Sequence, residues 1–273
     1  MKRQRIQNRL LELLAWLLSL MVLLPFAIVF LNTFKDSIEA AKFTLTLPKS
    51  FSFANYAQVI QECNMLRPFL NSMIMSFFPT VINVVMAAMA AFVIARTQDK
   101  LSRALYYFFF FGLMAPMNYI PTTMLLKTLG LSGSFLGIIL LLAAAGIPFA
   151  FFLFYGFMGS LNREIDEAAV IDGCGGMRLF FSIIFPLLKP VTVTAFVLNF
   201  LGCWNDFKTP LYVLNSSNKW GMIMNMYGYF GVRQSDWNLV CTVIVLTLLP
   251  VLLLYIFGQR YIIDGMTAGA VKG

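Results

Sequence analysis

Few residues in this chain have the types or spacing to do chemistry, and they fall into three groups. The first is a charged, glycine-bearing stretch from Asn162 to Pro190, NREIDEAAVIDGCGGMRLFFSIIFPLLKP, in which Glu164, Asp166, Glu167 and Asp172 stand near Arg163 and Arg178. The second is a row of hydroxyl and amide side chains, Ser72, Ser76, Thr80 and Asn83, spaced four, four and three apart inside an apolar run. The third is Thr192, Asn199 and Asp206, which recur every seven residues and have Trp204 and Asn205 beside them. Spacings of three, four and seven place each row on one face of a helix.

What accompanies these groups limits the chemistry to non-covalent contact. No histidine occurs, so the commonest general base and the commonest zinc ligand are both missing. Cys63, Cys174, Cys203 and Cys241 have neither CxxC nor metal-ligand spacing, and no disulfide framework is expected. There is no GxxxxGK[ST] phosphate loop, and no apolar run carries a central Asp, Glu, Lys or Arg of the kind that relays protons or holds coupling ions. An enzyme would need a clustered acid, base, nucleophile or metal set, so we expect a non-enzyme that binds no metal or cofactor itself. Any energy source must lie on another subunit.

The polar rows admit two readings each. Ser, Thr and Asn commonly hydrogen-bond between packed spans, which favours interhelical packing for the row from Ser72 to Asn83 over the lining of a wet pathway. If a solute pathway runs along these faces instead, Ser76, Asn83, Asn199, Trp204, Asn205 and Asp206 are the candidates for lining it. For Asn199 packing and pathway weigh equally; Trp204 reads more readily as an interfacial belt residue. The belt is also the preferred reading for Trp220, Tyr227, Tyr229 and Trp237, whose alternative is contact with an extracytoplasmic protein.

The elements that position these residues belong to a membrane. Of 273 residues, 60% are hydrophobic and 12% charged, too apolar for a soluble surface. The net charge of +8 is scattered over short loops beside apolar runs, which argues against nucleic-acid binding. We expect an all-α membrane protein with six transmembrane helices. The spans run over about 10–31, 69–95, 104–126, 135–158, from 190 past Trp204, and 239–257.

The first run follows Lys2, Arg3, Arg5 and Arg9, is longer than a signal h-region and has no small-residue cleavage site after it, so it reads as an uncleaved span. Twelve of the 20 Lys and Arg residues fall on the side that includes the N-terminus, in the shorter segments, placing both termini in the cytoplasm. The expected organisation is a cytoplasmic N-tail (1–9), a six-span domain (10–258) with an extracytoplasmic segment (32–68) and a cytoplasmic loop (160–186), and a cytoplasmic C-tail (259–273).

Within the loop, Asn162 suits an N-cap, and Glu164, Asp166 and Glu167 put negative charge in the first turns of a short helix, where the dipole favours it. Ala168 and Ala169 keep one surface small. Gly173, followed by Gly175 and Gly176, ends that helix, and Met177 to Phe185 begin a second one that Pro186 and Pro190 lead into the membrane.

Glu167, Ala168, Ala169, then Gly173, Ile183 and Pro186 resemble the EAA loop of ABC importer permeases: EAA, three residues, Gly, nine residues, Ile, one residue, Leu, Pro. Phe185 stands where Leu is usual. Trp204, Asn205, Asp206, Phe207, Pro210 and Leu211 resemble the WNDF..PL element of carbohydrate permeases, and QRYIIDGMTAGAVKG is similar to their C-terminal tail. Over nearly its whole length the chain is similar to the second permease of maltose-type importers.

That resemblance implies a type I ABC importer permease fold in the cytoplasmic (inner) membrane of a prokaryote. It implies an ATPase-coupling loop carried by Glu164, Glu167, Ala168, Ala169, Asp172, Gly173, Ile183 and Pro186. It also implies an ATPase-contacting tail of Ala268, Gly269, Val271, Lys272 and Gly273, in a segment small and flexible enough to reach the ATPase dimer interface. The implied partners are a second permease in a heterodimer, two ATPase subunits that bind ATP and Mg, an extracytoplasmic solute-binding protein, and a carbohydrate substrate, with lipid around the spans. A non-sugar solute is the alternative cargo, because the EAA loop is shared by importers of many classes. A self-sufficient secondary transporter stands further off.

Overall fold

The apolar runs fold as helices, and none of the described residues forms a strand. The computed structural model describes residues 2–97, 99–225 and 236–270, with side chains over 8–97, 99–225 and 236–259. Among the described residues, four helices contain stretches long and apolar enough to cross a membrane: Asn8–Asn32 in α1 (Lys2–Asn32), α4 (Leu66–Arg96), α7 (Phe135–Met158) and Trp237–Gln259 in α14 (Trp237–Ala270). Two further candidates are bent pairs, so the structure supports four continuous spans, or six if each pair counts as one.

One bend falls inside the expected third span and the other just before the expected fifth, whose residues from Pro190 to Trp204 form one unbroken helix. Over 104–126 the chain forms α5 (Lys100–Met114) and α6 (Tyr119–Thr128), turned by 117°. Pro116 is the cause: it has no N–H for the ladder, and its ring drives the preceding Ala115 to an extended ψ of 122°. Asn118 then restarts the helix, its Oδ1 accepting from the Ile120 N–H at 3.3 Å. At the other bend, the segment Gly176–Leu187 meets α11 (Lys189–Trp204) at 81°, with Pro190 in the first turn of α11 where a missing N–H costs nothing.

Two compact units make up the chain. The first comprises 1–68 and 222–249 and includes α1, the short helices α2 (Ser37–Ala40) and α3 (Ala54–Glu62), and α13 (Met222–Asn225). Its polar knot satisfies backbone carbonyls that follow α1. Asn55 Nδ2 donates to Thr33 O at 2.8 Å and Lys35 O at 2.9 Å, Asn238 Nδ2 donates to Asn55 Oδ1 at 2.9 Å, and the buried Lys35 donates to Thr44 O at 2.7 Å.

The second unit, 69–221 and 250–273, contains the loop helices and the core that holds them. On α4, Val84, Ala87, Ala88 and Ala91 recur at helical spacing and are buried, and such small side chains let neighbouring backbones approach closely. Against them pack Ala150, Phe151, Phe154 and Met158 of α7 and Leu188, Val191 and Ala195 in and beside α11. Without a hydrophobic drive between spans in lipid, this close packing and the polar contacts described below hold the unit. A 3₁₀ turn (Ser217–Lys219) stands near the end of its first segment, where Asn71 Nδ2 donates to Asn218 O and Trp220 O, both at 3.0 Å.

Candidate functional site

Helix α8 (Glu164–Ile171) is the loop helix that the acidic cluster and the two alanines foretell. Asn162 starts it from one residue further out than expected. Arg163 occupies the cap position, while Asn162 Oδ1 accepts from Glu164 N–H at 3.2 Å and its Nδ2 donates to the Glu164 carboxylate at 2.9 Å. All three first-turn acids lie at the positive end of the helix dipole. The helix stops at Asp172, and Gly173 follows at φ +78°, the left-handed conformation that a glycine adopts without strain.

The two alanines do not share an environment. Ala169 is buried in the core that also holds Ala91, Ile94 and Phe154, whereas Ala168, Glu164, Glu167, Asp172 and Gly173 are exposed. On the side turned away from Ala169, Ile171 is 85% exposed, with Val170 and Met177 also uncovered. These uncovered apolar side chains stand beside the exposed carboxylates of Glu164, Glu167 and Asp172.

Beyond Gly173 the chain does not form the simple amphipathic helix expected. One turn, α9 (Gly176–Leu179), passes into a five-residue π-helix, Phe180–Ile184, and then into α10 (Phe185–Leu187). Phe180 and Ile184 in this segment are buried, and Phe180 meets Phe92 of α4 at 5.6 Å between ring centroids. Ile183 is half-buried, and the exposed Pro186 opens α10.

Two arginines and an aspartate in this region escaped the sequence reading as site residues. Arg96, the last residue of α4, places Nε 2.5 Å from Asp166 Oδ2, both side chains being 15% exposed. Its Nη1 donates to Leu161 O at 3.5 Å, and Arg163 Nη2 donates in return to Ala95 O at 3.3 Å. Along the sequence Arg96 is one more inside charge, and nothing local ties it to a residue 70 positions on.

Among the pathway candidates, the structure brings together Asn83 of α4 and Asn199 of α11 and sets Gly146 of α7 against both. A Cβ on Gly146 would lie 2.3 Å from Asn83 Nδ2 and 2.6 Å from Asn199 Oδ1. Each amide is tied to backbone: Asn83 Nδ2 donates to Ala143 O at 3.2 Å, and Asn199 Nδ2 to Ala195 O at 2.8 Å. Ser76, one helix face along from Asn83, is fully buried, and its Oγ and Asn83 Oδ1 have no partner among the described residues. Gly146 stands near Pro148 in the run LLAAAGIPFAF, a small-residue signal that the sequence reading passed over.

The remaining candidates separate. Trp204 is 2% exposed rather than a belt residue; it stacks on Phe200 at 5.7 Å and 20° and meets Phe69 edge-on at 6.2 Å. Asn205 is exposed at the end of α11, and Asp206 Oδ1 accepts from Thr209 N–H at 3.0 Å, capping α12 (Lys208–Val213). Trp220 and Trp237 are half-buried. Tyr227 and Tyr229 lie outside the described residues, as do Val271, Lys272 and Gly273 of the tail. Ala268 and Gly269 belong to α14, whose backbone stays helical to Ala270 where a flexible segment was expected; no proline follows Pro250 to interrupt it.

This arrangement of helices is that of an ABC importer permease. Over 96% of this chain and 98% of the other, it matches a solved chain from a bacterial ABC transporter involved in the import of the acidic polysaccharide alginate, with a TM-score of 0.85 at 19% identity. The chain belongs to the family of binding-protein-dependent transport system inner membrane components, which matches residues 83–267 and so includes α8 and both asparagines. It is similar to the probable starch degradation products transport system permease protein AmyC of Thermoanaerobacterium thermosulfurigenes, 31% identical over the full length of both. It is also similar to the diacetylchitobiose uptake system permease protein NgcG of Streptomyces coelicolor, 33% identical over 95% of this chain and 87% of the relative.

Proposed function

We propose that this chain is one membrane-spanning permease subunit of an ATP-driven, binding-protein-dependent importer for a sugar or oligosaccharide in the cytoplasmic membrane of a prokaryote. Each bent helix pair counts as one span, giving six, with both termini cytoplasmic; the distribution of Lys and Arg supports that orientation. The partners are a second, different permease, two ATPase subunits that carry ATP and Mg, and an extracytoplasmic solute-binding protein. The cargo follows from the relatives, whose names specify starch degradation products and diacetylchitobiose.

The observation that carries the reading is the two-sidedness of α8. Its Ala169 side is built into the permease core, while Ile171, Val170 and Glu167 face outward from a helix too short to be stable alone. This is the coupling helix: the outward face seats in a cleft of an ATPase subunit, and closure of the ATPase pair on ATP displaces it. The core contacts of Ala169, Leu179, Phe180 and Ile184 carry the displacement to the spans, rocking the solute path from inward-facing to outward-facing. Gly173 and Pro186 bound the moving segment, and the tail from Ala268 to Gly273 extends to the ATPase dimer interface.

Burial of Ser76, Asn83 and Asn199 among this chain's own helices supports a packing role for them. The solute then meets the exposed end of α11 near Asn205 and residues of the partner permease. Uptake of a panel of labelled oligosaccharides into proteoliposomes containing all partner subunits tests the reading. ATP-dependent uptake that disappears when the ATPase subunits are omitted is the expected result; uptake by this chain alone would refute it.

A further inference from the structure

The contacts between the end of α4 and the segment around α8 are reciprocal, and the function just proposed does not account for them. Arg96 reaches from α4 to Asp166 and to Leu161 O, which lies beyond the end of α7; Arg163, just before α8, reaches back to Ala95 O in the last turn of α4. Each arginine thus donates to a carbonyl near a helix C-terminus, where carbonyls lack partners within their own helix and a cation is favoured. The charge pair between the two peptide contacts is largely shielded from water, so it is screened less than a surface pair.

Burial of Ala169 already keeps α8 beside the core, so the ion pair is not needed for that. A small methyl in an apolar contact does not, however, fix rotation of the helix about its own axis. Asp166 and Ala169 are three residues apart and share a face. Two anchors on that face, one of them a close charge pair, set the angle at which Ile171 points away. Along α4, Arg96 is 13 residues from Asn83, or about 20 Å of helix rise, which leads to the junction with Gly146 and Asn199.

We propose that Arg96 and Arg163 form a clasp that makes α4 move with the coupling helix, and that Arg96 is a positioning residue for transport. It touches neither solute nor nucleotide. It holds Asp166 so that displacement of α8 is delivered to the cytoplasmic end of α4 and along it to the buried asparagine junction. The clasp rests on the permease reading above and deepens it: α4 is driven through its terminal arginine, in addition to the spans that the loop joins covalently.

The test uses the complete transporter in proteoliposomes, with solute uptake and ATP hydrolysis measured in the same vesicles. Arg96→Gln is expected to lower the solute taken up per ATP hydrolysed by about tenfold, within the ordinary range of coupling between sites, while the ATPase subunits remain bound. Arg96→Lys, which keeps the charge but loses the forked geometry, should recover part of that ratio. Reversing the pair with Arg96→Asp and Asp166→Arg together should recover more than either single change. If Arg96→Gln does not assemble, Asp166→Asn keeps the side-chain shape and is read against the same ratio.

Uptake and hydrolysis that fall in proportion, or a reversed pair no better than its single variants, would overturn the clasp. Absence of ATP-driven uptake in the unaltered complex would instead sink the permease reading, and the clasp with it.

Discussion

Gly146 of α7 backs onto Asn83 of α4 so closely that a methyl group in place of its hydrogen would sit 2.3 Å from Asn83 Nδ2. Asn199 Oδ1 crowds the same position at 2.6 Å, so three helices converge on a residue with no side chain. Gly146→Ala sets two effects against each other. Alanine raises helix propensity by up to about 1 kcal/mol, while overpacking a tight site costs about 1–3 kcal/mol. Overpacking should win, lowering the thermal unfolding midpoint of the detergent-solubilised chain. Adding Asn83→Ala should recover part of the loss, and full stability of Gly146→Ala would show that the junction relaxes freely.

At Gly173 the space is open: nothing lies within 4 Å of the position a Cβ would take, so only the backbone conformation at φ +78° constrains the residue. Gly173→Val should cost about 1–2 kcal/mol and reduce the ATPase subunit that co-purifies with the permease, whereas Gly173→Asn, which tolerates the left-handed region, should cost less. Equal losses for the two variants would show that glycine is required there for another reason.

Because Ile171 is exposed, replacing it leaves the core intact. Ile171→Asp should therefore leave the unfolding midpoint of the isolated chain near that of the unaltered protein. Desolvating the new carboxylate against an apolar cleft should weaken ATPase binding by about tenfold or more, a change of at least about 1.4 kcal/mol in binding free energy. Ile171→Leu should bind nearly as well as the unaltered chain. A midpoint that drops with Ile171→Asp would mean that the side chain supports the fold.

Asp99 caps α5 by accepting from the Ser102 N–H at 2.8 Å, and the hydrogen bonding from Ser102 holds its carboxyl below the usual carboxylate range. A depressed folded-state value means that the carboxylate contributes stability above the unfolded value of about 3.9 and loses it as pH falls through the lower folded value. The unfolding midpoint of the unaltered chain should fall more steeply below about pH 4 than that of Asp99→Ala. Parallel pH curves for the two would remove Asp99 as a source of that dependence.

Much of the loop around α8 was legible because its signals are local. Acidic residues favour a helix start, glycine favours its end, and both act within a few positions of where they stand, so α8 and the φ of Gly173 follow from the string itself. The bend at Pro116 had the same kind of local cause, yet proline in an apolar run reads equally as a mild kink or a full break. Trp204 misled for a related reason: tryptophan at a span end suits either the lipid interface or a core, and only the position of Phe200 and Phe69 decides between them.

By itself the sequence determined the apolar runs, the charge bias of the loops, the acidic helix with its glycine stop, and the resemblance that joins them. These properties depend on residue type and on spacing along one segment. Tertiary structure alone decided that Arg96 meets Asp166, that Gly146 abuts both Asn83 and Asn199, and that Ala169 turns inward while Ala168 does not. Helical periodicity states which residues share a face but not what the face meets. Contacts between residues 60 or 70 positions apart arise only when several helices pack at once, since each contact depends on the angle and depth set by all the others.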